Sequence, residues 1–198
     1  MLIVGLTGDV GAGKSTLSMV WKDMGALVID ADRVARDMWK LPVVQKKAAE
    51  RWGSGFFEGE WKSVLAKIAA KIFTDDCEYD FVSNLLHPAT LAEVERLANK
   101  AEGWVVVEIP LLFECGRPKW MDYVVYASAS AEKREERNAS RGWDSGEIKR
   151  RESKLMSRDK KIGMSDWVLE NSGSIEEWET KARELGKIFL EKERPSAS

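Results

Sequence analysis

The sequence predicts an α/β fold: a parallel sheet with helices on both faces, interrupted by a long helical insertion. Three observations predict it. Five short apolar runs, at 2–6, 26–29, 104–109, 123–127 and 167–169, lack the polar alternation of half-exposed strands. Helical patterns separate most of them, which is the βαβ rhythm of a parallel sheet. From about 33 to 100 that rhythm stops, and the apolar residues follow helical spacing without a convincing strand.

The first run, Leu2-Ile3-Val4-Gly5-Leu6, feeds directly into Gly8-Asp9-Val10-Gly11-Ala12-Gly13-Lys14-Ser15-Thr16. This is the phosphate-binding pattern G-x-x-x-x-G-K-[ST], set between a buried strand and a helix as its chemistry requires. Its glycines let the backbone turn tightly, so that successive N–H groups face an anion, and the next helix adds its positive end. Lys14 is placed to reach the β- and γ-phosphates, and the Ser15 hydroxyl to ligate Mg²⁺. Gly8, Val10, Gly11, Ala12, Gly13, Lys14, Ser15 and Thr16 are therefore the expected nucleoside-triphosphate site. The helix should run from about 14 to 24 and stop at Gly25.

After the second run comes Asp30-Ala31-Asp32. Ligands of open parallel sheets sit beyond the carboxyl ends of the strands, so these acids should face the phosphate loop. One of them, with Asp32 ahead of Asp30, would supply a carboxylate to an attacking hydroxyl or a water-mediated Mg²⁺ contact; the alternative is that both cap the next helix. The insertion reads as helices near 31–40, one opened by Pro42, one over 60–73, a short one before His87 and one opened by Pro88. In the 60–73 helix, Trp61, Leu65, Ile68, Ala69 and Ile72 form one stripe. His87, the only histidine, would stand at a helix mouth as a cap or a substrate contact.

The third run ends in Glu108-Ile109-Pro110-Leu111-Leu112-Phe113-Glu114, an apolar strand closing on an acid as in a Walker B element. Leu111 to Phe113 would then offer an apolar wall, or form a covered loop. Residues 132–161 carry eleven Lys and Arg against seven acids, whereas the rest of the chain is net −6. This basic segment reads as two helices joined around Gly142-Trp143-Asp144, the second opened by an Asp144/Glu147 capping box. Arg137 and Arg141, four apart, share a helix face. They would close as bidentate donors over a triphosphate, unless the helix is simply solvated. Ser174 and Glu177 form a second capping box for the final helix.

Composition narrows the function classes. With 198 residues, 44% hydrophobic and 32% charged, the chain can bury one core and a small subdomain. No run approaches the roughly 18 apolar residues of a membrane span. No basic stretch precedes the first apolar run, so a secretory leader is not expected. Cys77 and Cys115 lack metal-ligand spacing and are expected as reduced thiols in a cytoplasmic protein. The acidic body argues against general nucleic-acid binding, and the confined basic segment suits a small polyanion. Nine scattered tryptophans are expected to pack rather than to recognise a ligand.

Gly5-Leu6-Thr7-Gly8, Gly11-Ala12-Gly13-Lys14-Ser15-Thr16, Asp30-Ala31-Asp32, Leu86-His87-Pro88, Pro110-Leu111-Leu112-Phe113-Glu114 and Asp166-Trp167-Val168-Leu169-Glu170-Asn171 together resemble dephospho-CoA kinases, across nearly the whole chain. The resemblance implies a three-layer P-loop kinase sandwich with a five-stranded parallel sheet, a helical substrate-binding insertion and a helical lid. It implies a nucleotide-binding core at 1–32, 101–130 and 163–198, a CoA-binding domain at 33–100 and a lid at 131–162. The implied reaction moves the ATP γ-phosphate, with Mg²⁺, to the ribose 3′-hydroxyl of dephospho-CoA. It also implies Asp32 as catalytic base, Lys14 and Arg141 as catalytic, and Arg137 and Arg141 on the nucleotide. Thr7, Asp9, Asp32, His87, Pro110, Leu111, Leu112 and Glu114 are then expected on the acceptor side, and a monomer or weak homo-oligomer as the assembly. Asp9 departs from the family's usual glycine, Trp61-Lys62 from a common Asp-Arg pair, and Arg134 and Leu155 from glutamines.

Other readings are a related small-molecule kinase, a GTPase-like switch or a motor ATPase. Against the switch, the chain has no N-K-x-D motif and no D-x-x-G after the third strand. Against the motor, it is short and its body is acidic.

Overall fold

A computed structural model describes residues 1–139, 142, 146 and 155–193. Arg141, the Asp144/Glu147 capping box and most of the second lid helix fall outside the described residues. The strands are β1 (Leu2–Gly8), β2 (Leu27–Asp30), β3 (Trp104–Glu108), β4 (Tyr123–Ser128) and β5 (Trp167–Glu170). They form one sheet in the order β2-β3-β1-β4-β5, with every pair parallel. The described helices are α1 (Lys14–Asp23), α2 (Ala31–Met38), α3 (Pro42–Trp52), α4 (Trp61–Thr74), α5 (Asp76–Ala98), α6 (Ala131–Ala139), α7 (Arg158–Gly163) and α8 (Ile175–Glu193). None is long and apolar enough to cross a membrane. The chain divides into two compact units, one of Met1–Asp30 with Arg96–Ser198 and one of Ala31–Glu95.

The first unit holds the sheet. Its middle strands are closed on both faces, with Val4, Leu6, Val105, Val106 and Val125 fully buried. The edge strands differ from the expectation of full cover: Leu27 and Val168 stay 45% and 46% exposed. One face of β5 packs, through Trp167, on Phe189 of α8, and Val168 and Glu170 on its other face are exposed. Trp21 and Trp104 meet edge-on at 5.9 Å, and both contact Phe189, so these tryptophans pack the core as expected. The buried Trp21 indole donates to the Ala182 carbonyl at 2.8 Å, which ties α1 to α8 without an orphaned N–H. Two carboxylates fix strand starts: Asp122 accepts from the Ile3 N–H and Asp166 from the Val124 N–H, each at 2.7 Å. At the start of α8 the capping box closes both ways. The Ser174 N–H donates to Glu177 at 3.0 Å, and the Glu177 N–H to the Ser174 hydroxyl at 3.3 Å.

The second unit is helical throughout, with a 3-10 turn at Ser54–Phe57. Its apolar stripe on α4 centres on Val64 and Ile68, and Val64 joins the expected set because it lies one turn from Ile68. The helix break expected at Pro88 is absent. His87 and Pro88 lie inside α5, so His87 is not at a helix mouth. Proline there removes one backbone hydrogen bond, but Val82, Leu86 and Val94 bury the helix on both sides of it, and that packing outweighs the local cost. Trp52 stacks on Trp39 at 5.7 Å and donates its indole N–H to Glu78 at 2.6 Å, while Arg51 bonds the other Glu78 oxygen at 3.0 Å.

The Trp52 hydrogen bond, more than the Arg51 charge, holds the Glu78 carboxyl below its usual 4.5. A depressed carboxylate stabilises the fold above its unfolded value and loses that contribution as pH falls through the folded one. Glu78→Gln should therefore melt about 3–6 °C below the unaltered chain at pH 7, with the gap closing below pH 4.5. Thermal melts at pH 7 and pH 3 check this; equal gaps at both would contradict it.

Candidate active site

The loop after β1 is held open by bonds to its outward-facing carbonyls. Asn171 Nδ2 donates to the Ala12 carbonyl at 2.9 Å, and the Trp178 indole to that of Gly13 at 3.2 Å. Arg137 reaches the Gly11 carbonyl at 3.5 Å and binds the Asn171 side chain at 2.9 Å. Lys14 Nζ donates to the carbonyls of Gly8 and Asp9 at 3.0 and 2.9 Å. With the carbonyls drawn outward, the loop forms a nest of amides at the start of α1, suited to an anion.

Glycine is required at two turns of this nest. At Gly8 (φ 144°) a Cβ would collide with the Ala127 carbonyl of the neighbouring strand, and at Gly13 (φ 91°) it would lie 2.6 Å from Asn171 Nδ2. Gly13→Ala should strain the loop by about 1–3 kcal/mol and weaken ATP binding about 10- to 100-fold. Titration calorimetry with ATP reads this directly, and unchanged affinity would contradict it.

Two cavities flank the loop. One of about 380 Å³ lies at the α1 end, where Gly13 and Thr16 face Lys133, Arg137, Asn171 and Gly173. The other, of about 100 Å³, lies at the β1 end, where Gly8 and Val10 face Tyr126, Met156, Arg158 and Lys161. Ser15 is exposed in the first turn of α1, and Ser18, one turn on, donates to Glu108 at 3.0 Å.

The other expected site residues are placed as follows. Thr7 is buried, and its hydroxyl donates to the Pro110 carbonyl at 3.2 Å, joining β1 to the loop after β3. Leu112 and Phe113 are buried, so they form no open apolar wall; Leu111 keeps partial exposure. Glu114 accepts from Lys161 at 2.6 Å and from the Met156 N–H at 3.0 Å. Asp9 turns its carboxylate away from the nest, to the Tyr126 hydroxyl at 2.5 Å, the Ala129 N–H at 3.3 Å and Arg158 at 3.2 Å. Asp30 ends β2 opposite Glu108 of β3, and Asp32 lies in the first turn of α2. His87 is half-buried in α5, and burial holds its imidazole below the usual 6.5, so the neutral ring prevails at pH 7.

A family model for dephospho-CoA kinase matches residues 2–177. The chain belongs to the dephospho-CoA kinase family. It is thereby an ATP-dependent kinase, in keeping with the amide nest and Lys14. A dephospho-CoA kinase of Corynebacterium diphtheriae is 34% identical over 195 residues, which cover 96% of this chain and 98% of that one. The crystal structure of TT1252 from Thermus thermophilus superposes with a TM-score of 0.75 at 27% identity, covering 93% of this chain and 95% of that one. A dephospho-CoA kinase from Campylobacter jejuni shares the fold, with a TM-score of 0.69 at 18% identity, over 97% of this chain and 98% of that one.

Within this dephospho-CoA kinase framework, the residues that brace the nest from α8 and from the stretch after α6 carry no motif of their own. Trp178 is one apolar residue among many on an amphipathic helix, and Arg158 one cation in a basic run. The only sequence signal for Tyr126 is strand pairing. Once β4 lies beside β1, Thr7 pairs with Tyr126 and Gly8 with Ala127, which brings that phenol next to Asp9.

Proposed function

We propose that this chain transfers the terminal phosphoryl group of ATP to the ribose 3′-hydroxyl of dephospho-CoA, giving coenzyme A and ADP. The observation that carries this reading is the braced amide nest with Lys14, in a chain matched by the dephospho-CoA kinase family model over residues 2–177. The acceptor oxygen forms a bond to the γ-phosphorus as the bond to the β–γ bridging oxygen breaks. The hydroxyl proton passes to Asp32. Little covalent work falls to the protein, which positions the reactants and neutralises charge.

The nest and Lys14 hold the β- and γ-phosphates. The larger cavity, with Thr16, Lys133 and Arg137, takes the nucleoside, because it adjoins the α1 end of the loop. Residues 33–100 act as the acceptor-binding domain and 131–162 as the lid. Thr7, His87, Pro110 and Leu111 serve the acceptor side, with Leu112 and Glu114 supporting them from within the fold. The enzyme works in the cytoplasm as a monomer or weak homo-oligomer.

Mg²⁺ fits the residues present. Among the described residues no group of three His, Cys, Asp or Glu side chains could hold a metal alone. The exposed Ser15 hydroxyl and the Glu108 carboxylate are oxygen donors suited to a hard cation whose remaining ligands are phosphates and water. When bound, the ion would supply charge neutralisation to the phosphates.

An acceptor panel tests the proposal. ADP release should rise at least about tenfold over the background with dephospho-CoA and not with nucleoside monophosphates. Stimulation by a monophosphate alone would favour a related small-molecule kinase.

A further inference from the structure

The small cavity at the β1 end of the loop contains a charge arrangement that the reaction described above leaves unused. Asp9 contributes its backbone to the phosphate loop, yet its carboxylate is only 4% exposed and is held from three sides. One of its donors is Arg158 Nε, at 3.2 Å. Among the described residues the Nη atoms of Arg158 have no partner, and the side chain is 46% exposed along a cavity that it shares with Gly8 and Val10.

The segment carrying Arg158 is itself fixed. The Met156 N–H and Lys161 both bind Glu114 Oε1, so the backbone is anchored on either side of the arginine. Lys161, the other cation of the cavity, is neutralised by Glu114 at 2.6 Å. A buried carboxylate is costly to keep as a mere brace, because its desolvation offsets much of the attraction to one half-exposed arginine. The same pair is well suited to aiming a guanidinium. A carboxylate on Nε fixes the plane of the group and leaves the four Nη hydrogens for two oxygens of a second anion. The cavity, at about 100 Å³, is several times what one water requires and admits a phosphoryl group.

We propose that Arg158 contacts the terminal phosphoryl group of the bound triphosphate, with Asp9 as its positioning residue. The orientation rests on the function proposed above: the nucleoside occupies the larger cavity at the α1 end, so the terminal phosphate lies toward Gly8 and Val10. Asp9 then acts through Arg158 and does not touch the substrate.

Calorimetric binding of ATP, ADP and dephospho-CoA to the complete chain, each without the other substrate, tests this apart from turnover. Arg158→Ala should weaken ATP about tenfold and leave ADP and dephospho-CoA within about twofold. Asp9→Asn should weaken ATP in the same selective way but by less, and the double variant should match Arg158→Ala alone. Arg158→Lys retains a cation for Asp9 but lacks the fork, so it should show the same selective loss; it also serves if the alanine variant does not fold. Equal losses for ATP and ADP, a loss confined to dephospho-CoA, or additive effects in the double variant would overturn the proposal. If the chain fails to make coenzyme A yet shows the selective ATP loss, only the acceptor assignment falls.

Discussion

Replacing Asp32 by asparagine should lower kcat by about 10²- to 10⁴-fold, the range for a lost general base, and leave ATP affinity unchanged. The substitution is nearly isosteric and retains an oxygen able to cap a helix, so it separates chemistry from scaffolding. Asp32 occupies the first turn of α2, two residues beyond the end of β2, the position at which an open parallel sheet presents catalytic groups. Asp30→Asn, at the strand end itself, should cost much less. Steady-state kcat with calorimetric ATP binding decides the matter. An Asp32→Asn enzyme with near-normal kcat would remove this residue from proton transfer.

Lys14→Ala should reduce kcat/KM by about 10²- to 10³-fold, as for the loss of one preorganised charge at a developing anion. Its ammonium is already held at the loop, 3.0 and 2.9 Å from the carbonyls of Gly8 and Asp9. Lys14→Arg should rescue little, because a planar fork cannot take the place of a compact ammonium between two carbonyls. Initial rates over a range of ATP concentrations check both variants, and rescue by arginine would contradict the geometric argument.

What could be read from the sequence was local. The phosphate loop and the Ser174/Glu177 capping box depend on residues within one or two turns of each other, and both stand as expected. The strands were legible because burial on both faces leaves a continuous apolar run; β2 and β5 differ at their open edges. Pro88 misled because a local steric rule was overruled by packing along α5.

The bonds that brace the nest were not legible, although Arg137 was expected at the nucleotide and Asn171 belongs to a stretch that carries the resemblance. Asn171 and Trp178 meet the loop from 159 and 165 residues away, and Arg158 meets Asp9 from 149 residues away. No spacing rule reaches that far. Asp9 itself was visible as an acid in a phosphate loop, but the direction of its carboxylate follows from the pairing of β1 with β4.

The most direct test follows purified chain with ATP, Mg²⁺ and dephospho-CoA, measuring ADP and coenzyme A together by mass spectrometry. The account predicts that the two products appear in equal amounts and that ADP formation nearly ceases when the acceptor is omitted. ADP released at the same rate without acceptor, with no coenzyme A formed, would contradict it.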